Sequence, residues 1–139
     1  MNMDFSYAAT PFLAWLVAGC LKFAINSLRA GQLAFGLIGY GGLPSNHSAI
    51  VSSTATLIAI KEGIGHPAFG VALTLAFIVM LDASSLRRQV GKHAVAINRL
   101  TGPQEDKPLR ERMGHTPVEI AAGVVTGVAV AIASATLHI

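Results

Sequence analysis

Charge is scarce in this chain. Only 12% of its 139 residues are Asp, Glu, Lys or Arg, against about 25% in a typical soluble domain. That deficit, beside a hydrophobic content of 53%, excludes an ordinary water-soluble globule and indicates a membrane protein. Cysteine occurs once, at Cys20 in an apolar run, so no internal disulfide can form and packing is its expected role. Aromatic residues do not interleave with the basic ones, which argues against a nucleic-acid partner. The first residues carry Asp4 and no base, so no cleavable signal peptide is expected. Internal repeats and low-complexity tracts are absent, and the length suits one domain over residues 1–139.

Four apolar segments are present. They run from about Tyr7 to Leu28, with Lys22 inside, from about Ser48 to Ile60, from about Pro67 to Leu81, and from about Pro117 to Leu137. A membrane span takes ~20 residues, with a range of ~17–25. The first and fourth segments meet that length, and the second and third meet it only with their flanks. The second is short and rich in Ser and Thr, so it is expected to pack against protein rather than lipid. Lipid forces backbone groups to pair internally, so all four are expected to be helices. The fold class is therefore all-α, an integral membrane bundle of about four transmembrane helices. Gly123-x-x-x-Gly127, flanked by Ala121 and Ala122, suits close helix approach within the bundle or a dimer motif, the former preferred. Trp15, Tyr7 and Tyr40 suit interface anchoring or packing.

The charges that exist are unevenly placed. Seven of the ten Lys and Arg residues lie between Arg87 and Arg112 with three acids, so that stretch carries +4 and the rest of the chain −1. A basic connection between the third and fourth spans reads as cytoplasmic, which implies a cell (inner) membrane protein. Within the connection, residues 83–116, Leu86, Val90, Ala94, Ile97 and Leu100 recur at helical spacing. This stretch reads as an interfacial or helix-extending amphipathic segment. Thr101-Gly102-Pro103 stops it, and Gln104 to Arg112 is polar and expected to be mobile.

Alternating helix directions bring the polar residues of interest to one membrane face. Lys22 and Arg29 lie near the end of segment one, seven residues apart and on one helix face. A point charge and a fork of donors suit a phosphate, although snorkelling explains many such residues. The turn Gly41-Gly42-Leu43-Pro44-Ser45-Asn46-His47-Ser48-Ala49 opens segment two. Pro44 and the glycines break any earlier helix, Ser45 or Asn46 caps the next one, and the new N-terminus favours an anion beside His47. Asp82, Arg87 and Arg88 close segment three, where the acid orients a guanidinium or forms a plain membrane-edge cluster. His115 and Glu119, four apart at the head of segment four, let a carboxylate fix an imidazole tautomer. His66 and His138 fall elsewhere. His47, His93, His115, Asp82 and Glu119 are metal-ligand types, but their spacing matches no metal signature, so no metal is expected.

Lys22-x6-Arg29, Pro44-Ser45-Asn46-His47, and His115-x3-Glu119 followed by Ile120-Ala121-Ala122-Gly123 together resemble the three-part signature of the type 2 phosphatidic acid phosphatase and vanadium haloperoxidase superfamily. The Gly41–Ala49 turn, Asp82 through Asn98, and Gly114-His115-Thr116-Pro117-Val118-Glu119 look like its small divergent membrane branch. The resemblance implies metal- and cofactor-independent hydrolysis of a phosphomonoester or pyrophosphate through a phosphohistidine. It implies His115 as nucleophile, Glu119 as its orienting acid and His47 as acid to the leaving group. Lys22, Arg29, Ser45 and the backbone at Asn46 would hold phosphoryl oxygens. The chain departs from the pattern at Ala30 (usually Pro), Asn46 (usually Gly), Glu119 (usually Asp) and Leu109, where an Arg usually stands. Arg87 or Arg88 is expected to replace that Arg, with Asp82 in support.

The expected function is a membrane lipid phosphatase acting on a phosphate or pyrophosphate headgroup, in a homo-oligomer because four short helices make a small core. Two alternatives stand beside it. One is a non-enzymatic membrane protein that binds a phospholipid headgroup with a degenerate site. The other is a small transporter subunit whose path is lined by Lys22.

Overall fold

The computed structural model describes residues 4–35, 42–101 and 108–137. Tyr40, Gly41, Gly102-Pro103, positions 104–107 of the polar stretch and His138 lie outside the described residues. The helices are α1 (Ser6–Ala30), α2 (Asn46–Lys61), α3 (Pro67–Leu81), α4 (Arg87–Thr101) and α5 (Pro117–Leu137), with a π-helical turn over Asp82–Leu86 between α3 and α4. No strand occurs among the described residues.

The protein is a membrane bundle. Three helical stretches are long and apolar enough to cross a bilayer: Ser6–Ala30, Pro67–Thr101 and Pro117–Leu137. The middle one joins α3, the π turn and α4 into 35 continuous residues. The connection expected between the third and fourth spans is thus largely a helical extension, and of the two readings of 86–100 the helix-extending one holds. The remaining helix, α2, has 16 residues and packs against α1, α3 and α5. It is the inner member of the bundle, as its Ser- and Thr-rich sequence suggests.

Two glycines explain how α5 comes so close to α2. A Cβ on Gly123 would strike the Ser45 carbonyl oxygen, and one on Gly127 would strike the Ala49 carbonyl oxygen and Ser52 Oγ. The small-residue pattern therefore packs helices within the chain. The α2 hydroxyls on this face are satisfied locally: Ser52 Oγ donates to the Ser48 carbonyl at 2.6 Å and Ser53 Oγ to the Ile50 carbonyl at 2.8 Å. The core is built from small side chains, with Ala14, Ala18 and Ala49 fully buried together. Large side chains point outward instead, among them Phe12, Val71 and Val125, each about two-thirds or more exposed. That inversion suits a solvent of lipid tails, which are as apolar as leucine.

The end of the bundle away from the basic stretch is closed by a polar cluster. Lys61 Nζ pairs with Asp4 at 2.7 Å and donates to Ser6 Oγ at 2.7 Å. The Tyr7 hydroxyl donates to Glu62, so Tyr7 is a tie between α1 and α2. The Lys61 hydrogen bond, followed by those from Ser6, holds the Asp4 carboxyl down at about 2. His66 caps α3 at this end, its Nδ1 accepting from the Ala68 N–H at 3.2 Å.

Candidate active site

The site begins with a capping box. Thr116 precedes Pro117 at the first position of α5; the Thr116 N–H donates to Glu119 Oε2 at 2.9 Å, and the Glu119 N–H donates to Thr116 Oγ1 at 3.3 Å. Reciprocal bonds of this kind satisfy orphan donors at a helix start. They also immobilise the Glu119 carboxylate. Its Oε2 lies 3.2 Å from His115 Nδ1. A carboxylate only accepts, so Nδ1 carries the proton and Nε2 presents a lone pair. His115 itself is 7% exposed. Its backbone N–H donates to the Ala83 carbonyl at 2.9 Å, inside the π turn. Gly114, at φ +92°, lies against Ser84 and Arg88 with no room for a side chain, and so lets the chain pass close to the helix.

The π turn also sets the basic residue. Its Arg87 N–H donates to the Asp82 carbonyl five residues back, so residues five apart are stacked here. Asp82 Oδ2 accordingly lies 4.0 Å from Arg87 Nε. The same guanidinium meets His47, with Nη2 at 3.2 Å from His47 Nε2. A guanidinium only donates. His47 Nε2 is therefore the acceptor, and the ring proton sits on Nδ1, which is buried without a hydrogen-bond partner among the described residues. The His47 and His115 ring centroids are 5.9 Å apart.

These rings share a cavity of about 690 Å³. Its lining combines polar residues, Lys22, Asn26, Asn46, His47, Arg87, Arg110 and His115, with apolar ones, Trp15, Leu16, Phe23, Phe35 and Met113. Phe23 and Phe35 pack with centroids 5.1 Å apart. Such a lining fits an amphiphile with an anionic head. Burial pushes the His115 imidazole below its ordinary value, against the Glu119 hydrogen bond and charge, while Lys22 and Arg87 push it down further. His47, in the first turn of α2 and outside the three spanning stretches, is lowered by burial and then by Arg87, His115 and Lys22, with Asp82 opposing. Both rings are therefore neutral near pH 7.

The structure brings Lys22, Asn46, His47, Arg87 and His115 onto one cavity, with Asp82 and Glu119 behind Arg87 and His115. Besides Asp82 and Glu119, three more residues of the expected set do not line it. Arg29 is exposed in the last turn of α1; it shares the Lys22 face but lies two turns, about 10 Å, further along the axis. Arg88 is exposed, since its side chain leaves the helix about 100° from that of Arg87. Ser45 is fully buried, and its hydroxyl caps α2 by accepting from the Ser48 N–H and hydroxyl at 3.3 and 3.1 Å. Asn46 lines the cavity while its Nδ2 donates to the Trp15 carbonyl at 3.4 Å. Two contributors were missed from the sequence. Thr116 is signalled by Thr-x-x-Glu, the capping-box pattern. Arg110 lies in an irregular stretch with no periodicity to read. Among the described residues no group of His, Cys, Asp and Glu is placed to hold a metal ion.

Comparison with known proteins follows the same outline. The model of a family described as the divergent PAP2 family matches residues 4–130. A relative from Bacillus subtilis (strain 168), the uncharacterized membrane protein YuiD, is 31% identical over 133 residues, covering 83% of this chain and 84% of its own length. No solved structure matches the chain significantly.

Proposed function

The chain belongs to the divergent PAP2 family, and we propose that it is a membrane lipid phosphatase acting on a phosphate or pyrophosphate headgroup. The observation that carries this reading is the His115 pair: Nδ1 tied to Glu119 at 3.2 Å and the ring beside His47 at one cavity. In the first step His115 Nε2 attacks phosphorus, the P–O bond to the leaving group breaks, and the departing oxygen takes a proton from His47. Glu119 stabilises the imidazolium that forms on His115. Water then attacks the phosphohistidine and gives a proton to His47, the P–N bond breaks, and inorganic phosphate leaves with both rings restored.

Lys22, Arg87 and Arg110 face the same space, and Asn46 and His47 of the first turn of α2 line it too. Fixed donors of this kind stabilise charge on a transferring phosphoryl group. Arg87 takes the part of the Arg absent at Leu109. The apolar wall formed by Trp15, Leu16 and Phe23 takes the first carbons of the lipid tail. The basic character of 87–112 supports reading this end of the bundle as the cytoplasmic face of the inner membrane. A homo-oligomer follows from the small internal core, and native mass measurement in detergent tests it.

The deciding experiment is phosphate release by the purified chain over a panel of lipid mono- and diphosphates, with and without chelator, beside His115→Ala. Release that needs His115 and survives chelation supports the reading. Headgroup binding without release makes the site a degenerate binder, and flux into liposomes without hydrolysis makes the protein a transporter.

A further inference from the structure

We infer that Arg87 is a positioning residue for His47, holding its imidazole proton-poor until a phosphate anion draws the guanidinium away. The inference rests on the phosphatase reading above and adds an order of events to it.

An acid to the leaving group needs its proton on the ring nitrogen that meets the ester oxygen. His47 Nδ1 is enclosed by protein and cannot reach a guest in the cavity. Nε2 is then the nitrogen that must carry the proton, and it is the one Arg87 covers at 3.2 Å. A guanidinium has no lone pair to accept with. While this contact stands, Nε2 is unprotonated and His47 is not an acid.

A phosphoryl group changes the competition. A guanidinium binds an oxyanion through charge-assisted, often bidentate bonds that exceed one bond to a neutral nitrogen. The Arg87 side chain is 42% exposed and has space to turn, while Asp82 at 4.0 Å holds its Nε edge near the cavity. Once Nη2 moves to the anion, His47 Nε2 takes a proton from solvent. The groups that face His47 are Lys22 from α1, Asp82 and Arg87 from the π turn and α4, and His115 ahead of α5; Arg110 shares the cavity. An anion between them offsets the two cations that disfavour imidazolium. His115 stays a neutral nucleophile throughout, its Nδ1 proton held by Glu119. The two imidazoles thus reach opposite protonation states only when a phosphoryl group is present.

The test is nitrogen-15 NMR of the histidine rings of the full chain in nanodiscs, titrated in pH with and without inorganic phosphate. Without phosphate, wild-type His47 is expected as the Nδ1–H tautomer with a lone pair on Nε2. Phosphate should raise its titration midpoint by about one unit, as a nearby opposite charge does. In Arg87→Gln the midpoint should already be raised without phosphate, and the phosphate-induced rise should fall to half or less. Arg87→Lys should restore part of the wild-type behaviour, because an ammonium also only donates. A wild-type His47 carrying its proton on Nε2 without phosphate overturns the inference, as does an Arg87→Gln ring that titrates like wild type. If the variants do not fold, the wild-type tautomer decides alone. Phosphate that perturbs neither ring sinks the phosphatase reading instead, and the phosphate-free comparison still judges Arg87.

Discussion

The Ser45 amide donates to the Glu119 carbonyl oxygen at 2.9 Å. This bond joins the cap of α2 to the first turn of α5. The helix that carries His47 and the helix that orients His115 therefore cannot slide past one another without breaking it. The bond is possible because glycine at 123 lets Ser45 approach the α5 backbone. Packing and chemistry thus meet in the same few residues.

Glu119→Gln should preserve the capping box and the hydrogen bond to His115 but remove the negative charge. Turnover is expected to fall by roughly 100-fold, within the range of a lost acid–base contribution. Steady-state phosphate release at saturating substrate measures it, with unchanged helical content as the control. A variant with full turnover would remove Glu119 from the mechanism.

Gly127→Leu should separate α5 from α2, since even a Cβ meets Ala49 and Ser52. Overpacking of this kind costs about 1–3 kcal/mol or more. Unfolding in mixed detergent micelles reads the loss. The same substitution at Gly65, where a Cβ meets nothing within 4 Å, should be near neutral.

The pH dependence has a definite sign. Burial places the folded-state His115 value below the ordinary 6.5, so the unfolded chain binds more protons between those two values. Stability therefore rises with pH through that window and is lost as pH falls below 6.5 toward the folded value. Activity, which needs a neutral His115, should have its acid limb below 6.5 as well. Asp4 behaves as a depressed carboxylate: its contribution is present above 3.8 and is lost as pH falls toward about 2. Acid unfolding of wild type beside His115→Gln checks the first statement: the variant should show a weaker dependence below 6.5, the remainder coming from His47, which burial also lowers.

Asn98 is expected to govern the order of the segment that delivers Arg110 and His115. Its Oδ1 accepts from the Leu109 N–H at 2.8 Å, and its Nδ2 donates to the Leu109 carbonyl at 2.8 Å and to Glu111 at 3.0 Å. Asn98→Ala removes all three, about 0.5–1.5 kcal/mol each at most for exposed bonds. Amide exchange at Leu109 should quicken by roughly 10-fold while the α2 and α5 amides keep their protection. Unchanged exchange at Leu109 would show that other contacts hold the segment.

The apolar lengths made the bundle legible, and the bounds of α3 and α5 coincide with their hydrophobic segments. Spacing also made His115 and Glu119 legible, although His115 precedes the helix and meets Glu119 because the capping box turns the carboxylate back toward it. Asp82 and Arg87 were harder. Five residues apart on an α-helix they diverge by about 140°, and only the π turn stacks them. Lys22 and Arg29 show the opposite limit: a shared face says nothing about depth, and two turns carried Arg29 past the cavity. The residue pattern offers Ser45 as a cap of α2 and the family resemblance makes it a phosphoryl ligand; its hydroxyl is used in the cap. Arg110 could not be found by period, since residues 108–114 follow a path set by Asn98 and the π turn.

The inner helix has 16 residues, about 24 Å at 1.5 Å per residue, while the hydrocarbon layer is about 30 Å thick. Set with Lys61 and its partner Asp4 at one boundary, such a helix ends several ångströms short of the opposite one, while the spanning stretches Ser6–Ala30 and Pro117–Leu137 beside it are longer. On the phosphatase reading, a lipid would not need to be lifted out of its leaflet: its polar end would sink into a dimple while its chains stay among their neighbours, and the water-soluble and greasy products would leave by different routes.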